Sequence, residues 1–216
     1  MKIHLAAVRA DGERFALEQN LALLSPEEAE RLSRRRPEDQ KRSVAGRWLL
    51  ARLLAEHCPG LSLPPRLPYG WQDKPLLADA PELGFNLSHS GQWAVCALCA
   101  TPVGVDLQRE RPLRRNLERR FAPAERELLE ALPEAERQAA FYDLWCLKEA
   151  FCKCTGDGLR TPLDAVSFTL DPVTLDRPEY RAALVPFPAE GYHLAVCART
   201  AEPPEAALRI FPSEFW

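Results

Sequence analysis

The chain has 216 residues, 46% hydrophobic and 27% charged, with a formal net charge of -3. This is an ordinary globular composition, long enough for one large domain or two small ones around a sizeable core. It excludes a chain that binds polyanions through its overall charge, and no apolar run approaches the ~20 residues of a membrane-spanning helix.

In chain order, KIHLAAV at residues 2–8 reads as a strand with no targeting pattern. Short helices are expected over 14–24 and 26–35. Ser25-Pro26-Glu27-Glu28 is a helix start, with a serine cap, proline at the first helical position and acids in the first turn. A long helix is expected over 37–57, where Val44, Trp48, Leu49, Ala51, Leu53 and Leu54 follow a helical period and Pro59-Gly60 ends it. A proline-rich connector leads to LGFNLSHS and WAVCALC, a hairpin turning at 90–92, and then to a third strand, TPVGVDLQ. Residues 116–155 read as mainly helical, broken near Pro123 and Pro133. Strands return in AVSFTL, YRAALV and YHLAVCAR. WAVCAL at 93–98 resembles LAVCAR at 194–199. Together with the repeated order of elements, this suggests a duplication with a ligand cleft between halves.

The seven cysteines are odd in number and lie mostly in apolar runs, as expected of reduced thiols in a cytoplasmic protein. Cys96 and Cys99 have CxxC spacing, but within a strand they point to opposite faces and do not make a metal site.

Several residues could carry chemistry. In GVDLQ, alternation puts Asp106 and Gln108 on one face of the strand. They are either a polar outer face or oxygen ligands suited to Mg²⁺. Trp145, Glu149 and Lys153 share one helix stripe. An exposed Glu-Lys pair there contributes only ~0.3–0.5 kcal/mol, and it does not explain the tryptophan. Gly156 and Gly158 suggest a helix stop with positive φ. Ser88 and His89 can donate to phosphate, although His89 also fits a structural role. Arg31, Arg34, Arg35, Arg36, Lys41, Arg42, Arg47 and Arg52 make a local basic patch, which is either a solvated face or a phosphate-binding one.

GVDLQ, FNLSHSG, DKP and WCLKEAFCKCTGDGL occur in the order and spacing of the 4'-phosphopantetheinyl transferases, and the chain resembles their surfactin-synthetase-activating branch along nearly its whole length. The resemblance implies an α+β fold of two similar pseudo-twofold-related halves, each a small antiparallel sheet packed on a long helix. Residues 1–103 would form the coenzyme A nucleotide side, and 104–216 the metal and catalytic side. It implies a cytoplasmic monomer that transfers the phosphopantetheine arm of coenzyme A to a serine of an apo acyl or peptidyl carrier protein, releasing adenosine 3',5'-bisphosphate. No nucleic acid or membrane partner is expected; the alternative is a non-catalytic binding module for coenzyme A or a carrier. Carried over by position, Asp106 and Glu149 hold Mg²⁺ (or Mn²⁺), with Gln108 as a neutral ligand or outer contact. Catalysis falls to Glu149, Lys153 and Asp106, the base being Glu149 itself or a metal-bound water that it orients. Arg31, Arg42, Ser43, Lys74, Ser88, His89 and Lys153 bind coenzyme A. Two departures from that branch stand out: Gln108, where glutamate is common, and Glu28, where a lysine stands.

Overall fold

The computed structural model describes residues 1–11, 20–68, 70, 74–113 and 116–212, with Leu159 described by its backbone. Most of the helix expected over 14–24, and Asp73 of the DKP motif, lie outside these residues. The described part of that helix is a 3-10 turn, Leu21–Leu23.

Among the described residues, two long helices pack on a four-stranded and a three-stranded sheet, with a two-stranded hairpin beside them. The helices are α1 (Pro26–Ser33), α2 (Pro37–His57), α3 (Pro123–Ala131) and α4 (Glu134–Thr155). The Ser25 side chain accepts from the Glu28 N–H while Glu28 reaches back to the Ser25 N–H, closing a capping box on α1. The strands are β1 (Lys2–Arg9), β2 (Gly84–Ser90), β3 (Trp93–Cys99), β4 (Val103–Arg109), β5 (Phe168–Leu170), β6 (Val173–Leu175), β7 (Tyr180–Leu184), β8 (Tyr192–Arg199) and β9 (Glu205–Phe211). The first sheet runs β2-β3-β1-β9, the second β4-β8-β7, and β5-β6 form a hairpin. The first sheet is antiparallel over β2-β3-β1, and β9 joins its edge parallel to β1. The last strand thus returns to the sheet in which the chain begins.

Alternation along the strands builds three apolar layers. Ala6, Val8, Cys96 and Leu98 face Val44, Leu49, Leu50 and Leu54 of α2. Ala195 and Cys197 face Leu144, Leu147 and Ala150 of α4. Between the sheets, Ile3, Leu5, Val95, Ala97 and Cys99 meet Val105, Leu107, Leu194 and Val196. Cys96 and Cys99 therefore sit on opposite faces of β3, and all seven cysteines are free thiols.

Gly104 determines how closely α4 lies on β4. A Cβ there would stand 2.0 Å from the Ala150 carbonyl oxygen and 2.5 Å from the Cys154 nitrogen. Only glycine permits this approach of backbone to backbone. It brings the side chains of α4 within reach of Asp106, two residues along β4. The helix stops at Gly156, with φ 83, and the turn continues through Gly158, with φ 56.

Candidate functional site

The site lies on the seam where edge strand β2 runs beside edge strand β4. The two are joined by side chains. Asn86, Ser88 and Ser90 on β2 accept from the N–H groups of Val105, Leu107 and Arg109, at 3.0, 3.2 and 2.9 Å. This satisfies alternate donors of β4 and leaves its side chains facing the seam.

Asp106 is almost fully buried at the centre of this seam. Its Oδ1 accepts from Ser88 Oγ at 2.9 Å and from Lys153 Nζ at 2.5 Å, and its Oδ2 accepts from Gln108 Nε2 at 2.9 Å. Lys153 completes its donor set on Ser88 Oγ and the Val105 carbonyl, at 3.0 and 3.1 Å. The Ser88 hydroxyl donates to Asp106 and accepts from Leu107 N–H and Lys153, so its bonding capacity is full. Ser88, expected on the nucleotide, is placed here as a buried holder of Asp106. Ser88→Ala strands the buried Leu107 N–H and is expected to lower stability by about 1–3 kcal/mol. A lower denaturant midpoint at unchanged m-value is the readout.

Glu149 is half-buried and forms no hydrogen bond or ion pair among the described residues. Burial raises its pKa, the neighbouring Asp106 charge raises it further, and Lys153 opposes both. His89 stands at the end of β2 with its edge in solvent, among Arg42, Lys153 and Asp39. Crowding by protein lowers its pKa, and the two cations add to that, so it is a neutral imidazole at pH 7. Arg42 donates to the Gly91 carbonyl at 2.7 Å and pairs with Asp39. Its Nε is buried with no partner.

Other expected residues lie apart from this group. Arg31 and Ser43 line a cavity of about 290 Å³ with Glu28, Arg35 and Arg47 between α1 and α2. Glu28 there pairs with Arg47, whose guanidinium pKa burial lowers to about 10. Lys74 is turned away from Asp106. Its ammonium donates to the carbonyls of Val103, Lys153 and Cys154, at 3.4, 2.6 and 3.0 Å. It caps the C-terminal end of α4, where cations are favoured, and its donors are spent on backbone.

Two clusters were not expected. Lys148, adjacent to Glu149 on α4, is wholly buried in a pair with the equally buried Glu125, at 2.7 Å. His193 on β8 sits between two carboxylates, with Nδ1 2.7 Å from Asp143 of α4 and Nε2 2.8 Å from Glu110 just beyond β4. Gln138 donates to the other Glu110 oxygen at 2.7 Å, and Tyr142 stacks on the imidazole. Burial lowers the His193 pKa, but the bonds to Asp143 and Glu110 outweigh it and the net shift is upward. The bond from His193 lowers the Glu110 pKa.

A raised histidine stabilises fully below its ordinary value of 6.5, and that contribution is lost as pH rises through the folded value. A lowered carboxylate stabilises above 4.5 and loses that contribution as pH falls through the folded value. The clasp is therefore at full strength between about 4.5 and 6.5. The melting-temperature gap between wild type and His193→Gln is expected to be widest there and to narrow on both sides.

Asp106 and Glu149 are two converging carboxylates, one of them without a partner. That donor set fits Mg²⁺, which takes one or two carboxylates and fills its remaining positions with water and phosphate oxygens. Among the described residues no group of three or more His, Cys, Asp or Glu could hold a metal. None of the described helices is long and apolar enough to cross a membrane.

A carboxylate pair and a lysine on the seam between two sheet-and-helix layers, with Arg42 beside His89 at its end, form a site suited to handling phosphates. Two family models cover the chain nearly end to end: "4'-phosphopantetheinyl transferase, N-terminal" over residues 12–101 and "4'-phosphopantetheinyl transferase superfamily" over 102–197. The chain is 32% identical over 203 residues to the 4'-phosphopantetheinyl transferase Sfp of Bacillus subtilis strain 168, covering 90% of this chain and 88% of that one. A second B. subtilis 4'-phosphopantetheinyl transferase is 35% identical over 188 residues, covering 82% and 83%. The 4'-phosphopantetheinyl transferase HetI of a Nostoc species is 36% identical over 182 residues, covering 79% and 75%. The chain belongs to the 4'-phosphopantetheinyl transferase superfamily, in its Sfp-type branch, and is a transferase.

Proposed function

We propose that this chain moves the 4'-phosphopantetheine arm of coenzyme A onto a serine hydroxyl of an apo acyl or peptidyl carrier protein, with Mg²⁺ held by Asp106 and Glu149. The observation that carries the reading is the Glu149 carboxylate, without a hydrogen-bond partner among the described residues, beside Asp106, whose Oδ2 accepts only one hydrogen bond. The serine oxygen forms a bond to the β-phosphorus as the bond to the bridging oxygen breaks. Adenosine 3',5'-bisphosphate leaves, and the serine proton passes to a base. Such a transfer needs positioning and charge neutralisation more than covalent help, and the bound cation supplies charge neutralisation at the pyrophosphate.

Each residue then has a task. Ser88 and Gln108 fix the two oxygens of Asp106. Lys153 neutralises that carboxylate and would contact the phosphates. Glu149 takes the serine proton, directly or through a water that it orients. Arg42 and His89 face the nucleotide end, and Arg31 and Ser43 extend the anion-binding surface.

The test incubates the protein with coenzyme A, Mg²⁺ and several apo carriers. Mass spectrometry is expected to show the carrier gaining one phosphopantetheine arm, with a chelator abolishing the gain. Coenzyme A binding with no adduct on any carrier would leave a non-catalytic binding module instead.

A further inference from the structure

We infer that His193 is a positioning residue for the transfer reaction: it clasps α4 onto the end of β4 and so fixes Glu149 against Asp106. The inference rests on the function proposed above.

The geometry carries it in three steps. First, both ring nitrogens of His193 meet carboxylates, Asp143 at 2.7 Å and Glu110 at 2.8 Å. Ionised carboxylates only accept, so both bonds are made together only by an imidazolium, with a donor on each nitrogen. Second, the two carboxylates belong to the two elements that carry the site. Glu110 follows β4, the strand of Asp106 and Gln108. Asp143 lies on α4, six residues before Glu149. His193 itself is the register partner of Gln108 across the β4-β8 ladder, and Gln108 in turn holds Asp106. Third, the contact is reinforced around the ring. Cys146 Sγ donates to the His193 carbonyl at 3.3 Å. Tyr142 accepts from Arg111 N–H and donates to Arg111 carbonyl, at 2.9 and 3.0 Å, closing the segment beyond Glu110 onto the same helix.

Gly104 sets α4 against the start of β4, and the His193 clasp sets it against the end. The Asp106–Glu149 separation is set by these two points together with the Lys153–Asp106 bond one turn beyond Glu149. A tilt of α4 about Gly104 would change that separation without unfolding either core. Groups that orient a metal-binding carboxylate typically change activity by 10–100-fold when removed.

The experiment uses the full chain with coenzyme A, Mg²⁺ and an apo carrier. In His193→Gln the side-chain oxygen faces one carboxylate, so one bond is lost. kcat is expected to fall about tenfold with KM for coenzyme A little changed. Adding Asp143→Asn gives that oxygen an N–H to accept from, and His193→Gln/Asp143→Asn is expected to recover much of kcat, a coupling that independent sites would not show. A single variant that melts earlier but turns over at the wild-type rate while folded would overturn the inference, as would a double variant no faster than the single. A wild type inert toward every carrier would remove the proposed function and this inference together. An active wild type with an equally active His193→Gln would remove this inference alone.

Discussion

Glu149→Gln is expected to abolish transfer, by at least about 10²-fold in kcat, while the folded protein becomes more stable in chelator. Both effects have one origin. Glu149 is half-buried beside Asp106, without a hydrogen-bond partner among the described residues, and burial followed by the Asp106 charge raises its pKa. A carboxylate held that way costs stability whenever it is ionised. The sign follows from linkage: an acid whose folded pKa is raised destabilises as pH rises from its ordinary 4.5 through the folded value. The amide carries no charge, so its advantage in melting temperature is expected at pH 7 and gone below 4.5. Mg²⁺ should reverse the order, because it stabilises the wild type, which keeps both carboxylates, more than the variant. Thermal melts with chelator and with Mg²⁺, beside the mass-spectrometric transfer assay, check all three points. A variant that turns over near the wild-type rate would remove Glu149 from the reaction. One that melts lower in chelator would show that its carboxylate has a structural partner.

Much of the fold was legible because it is punctuated locally. The 37–57 helix has a proline at its first residue and Pro59-Gly60 just past its end, and α2 has those bounds. Asp106 and Gln108 share a face of β4 by alternation alone, and the structure joins them by a hydrogen bond. What could not be read depends on partners far away in sequence. β9 is a short strand after a proline-rich turn, and its parallel pairing with β1 joins the two ends of the chain. The partners of His193 lie 50 and 83 residues away, with no spacing to betray them. Lys74 was carried to the ligand by its position in the DKP motif; in the structure its ammonium meets three backbone carbonyls. Ser88 was given to the nucleotide for its donor, which the buried Asp106 takes. These contacts join residues far apart in sequence, so no local spacing announces them.

The adjacent lysine of the same helix gives the second large effect. Lys148→Met is expected to destabilise the protein by about 3–5 kcal/mol, because it leaves a buried carboxylate without its counter-charge. Lys148 and Glu125 both have wholly buried side chains. The ammonium also donates to the Leu163 and Val166 carbonyls, at 2.6 Å each, and so ties the segment after α4 to the helix. Glu125 accepts from Ala122 N–H and Phe168 N–H, at 2.8 Å each. The methionine fills the stem's volume but bonds none of these groups, so the loss is electrostatic and polar rather than a cavity. For a chain of this size the loss should lower the melting temperature by roughly 10 °C. Adding Glu125→Gln removes the stranded charge while keeping an acceptor for one of the two N–H groups. The double variant should therefore be more stable than Lys148→Met alone, a coupling that a denaturant-melt cycle measures directly. If the two substitutions simply add, Lys148 contributes through packing and not through its pair with Glu125. Lys148 and Glu149 are neighbours one residue apart, about 100° around the helix. One turns into the core to hold the loop after α4, and the other faces Asp106, so a Lys-Glu dipeptide that resembles a surface pair divides between structure and chemistry.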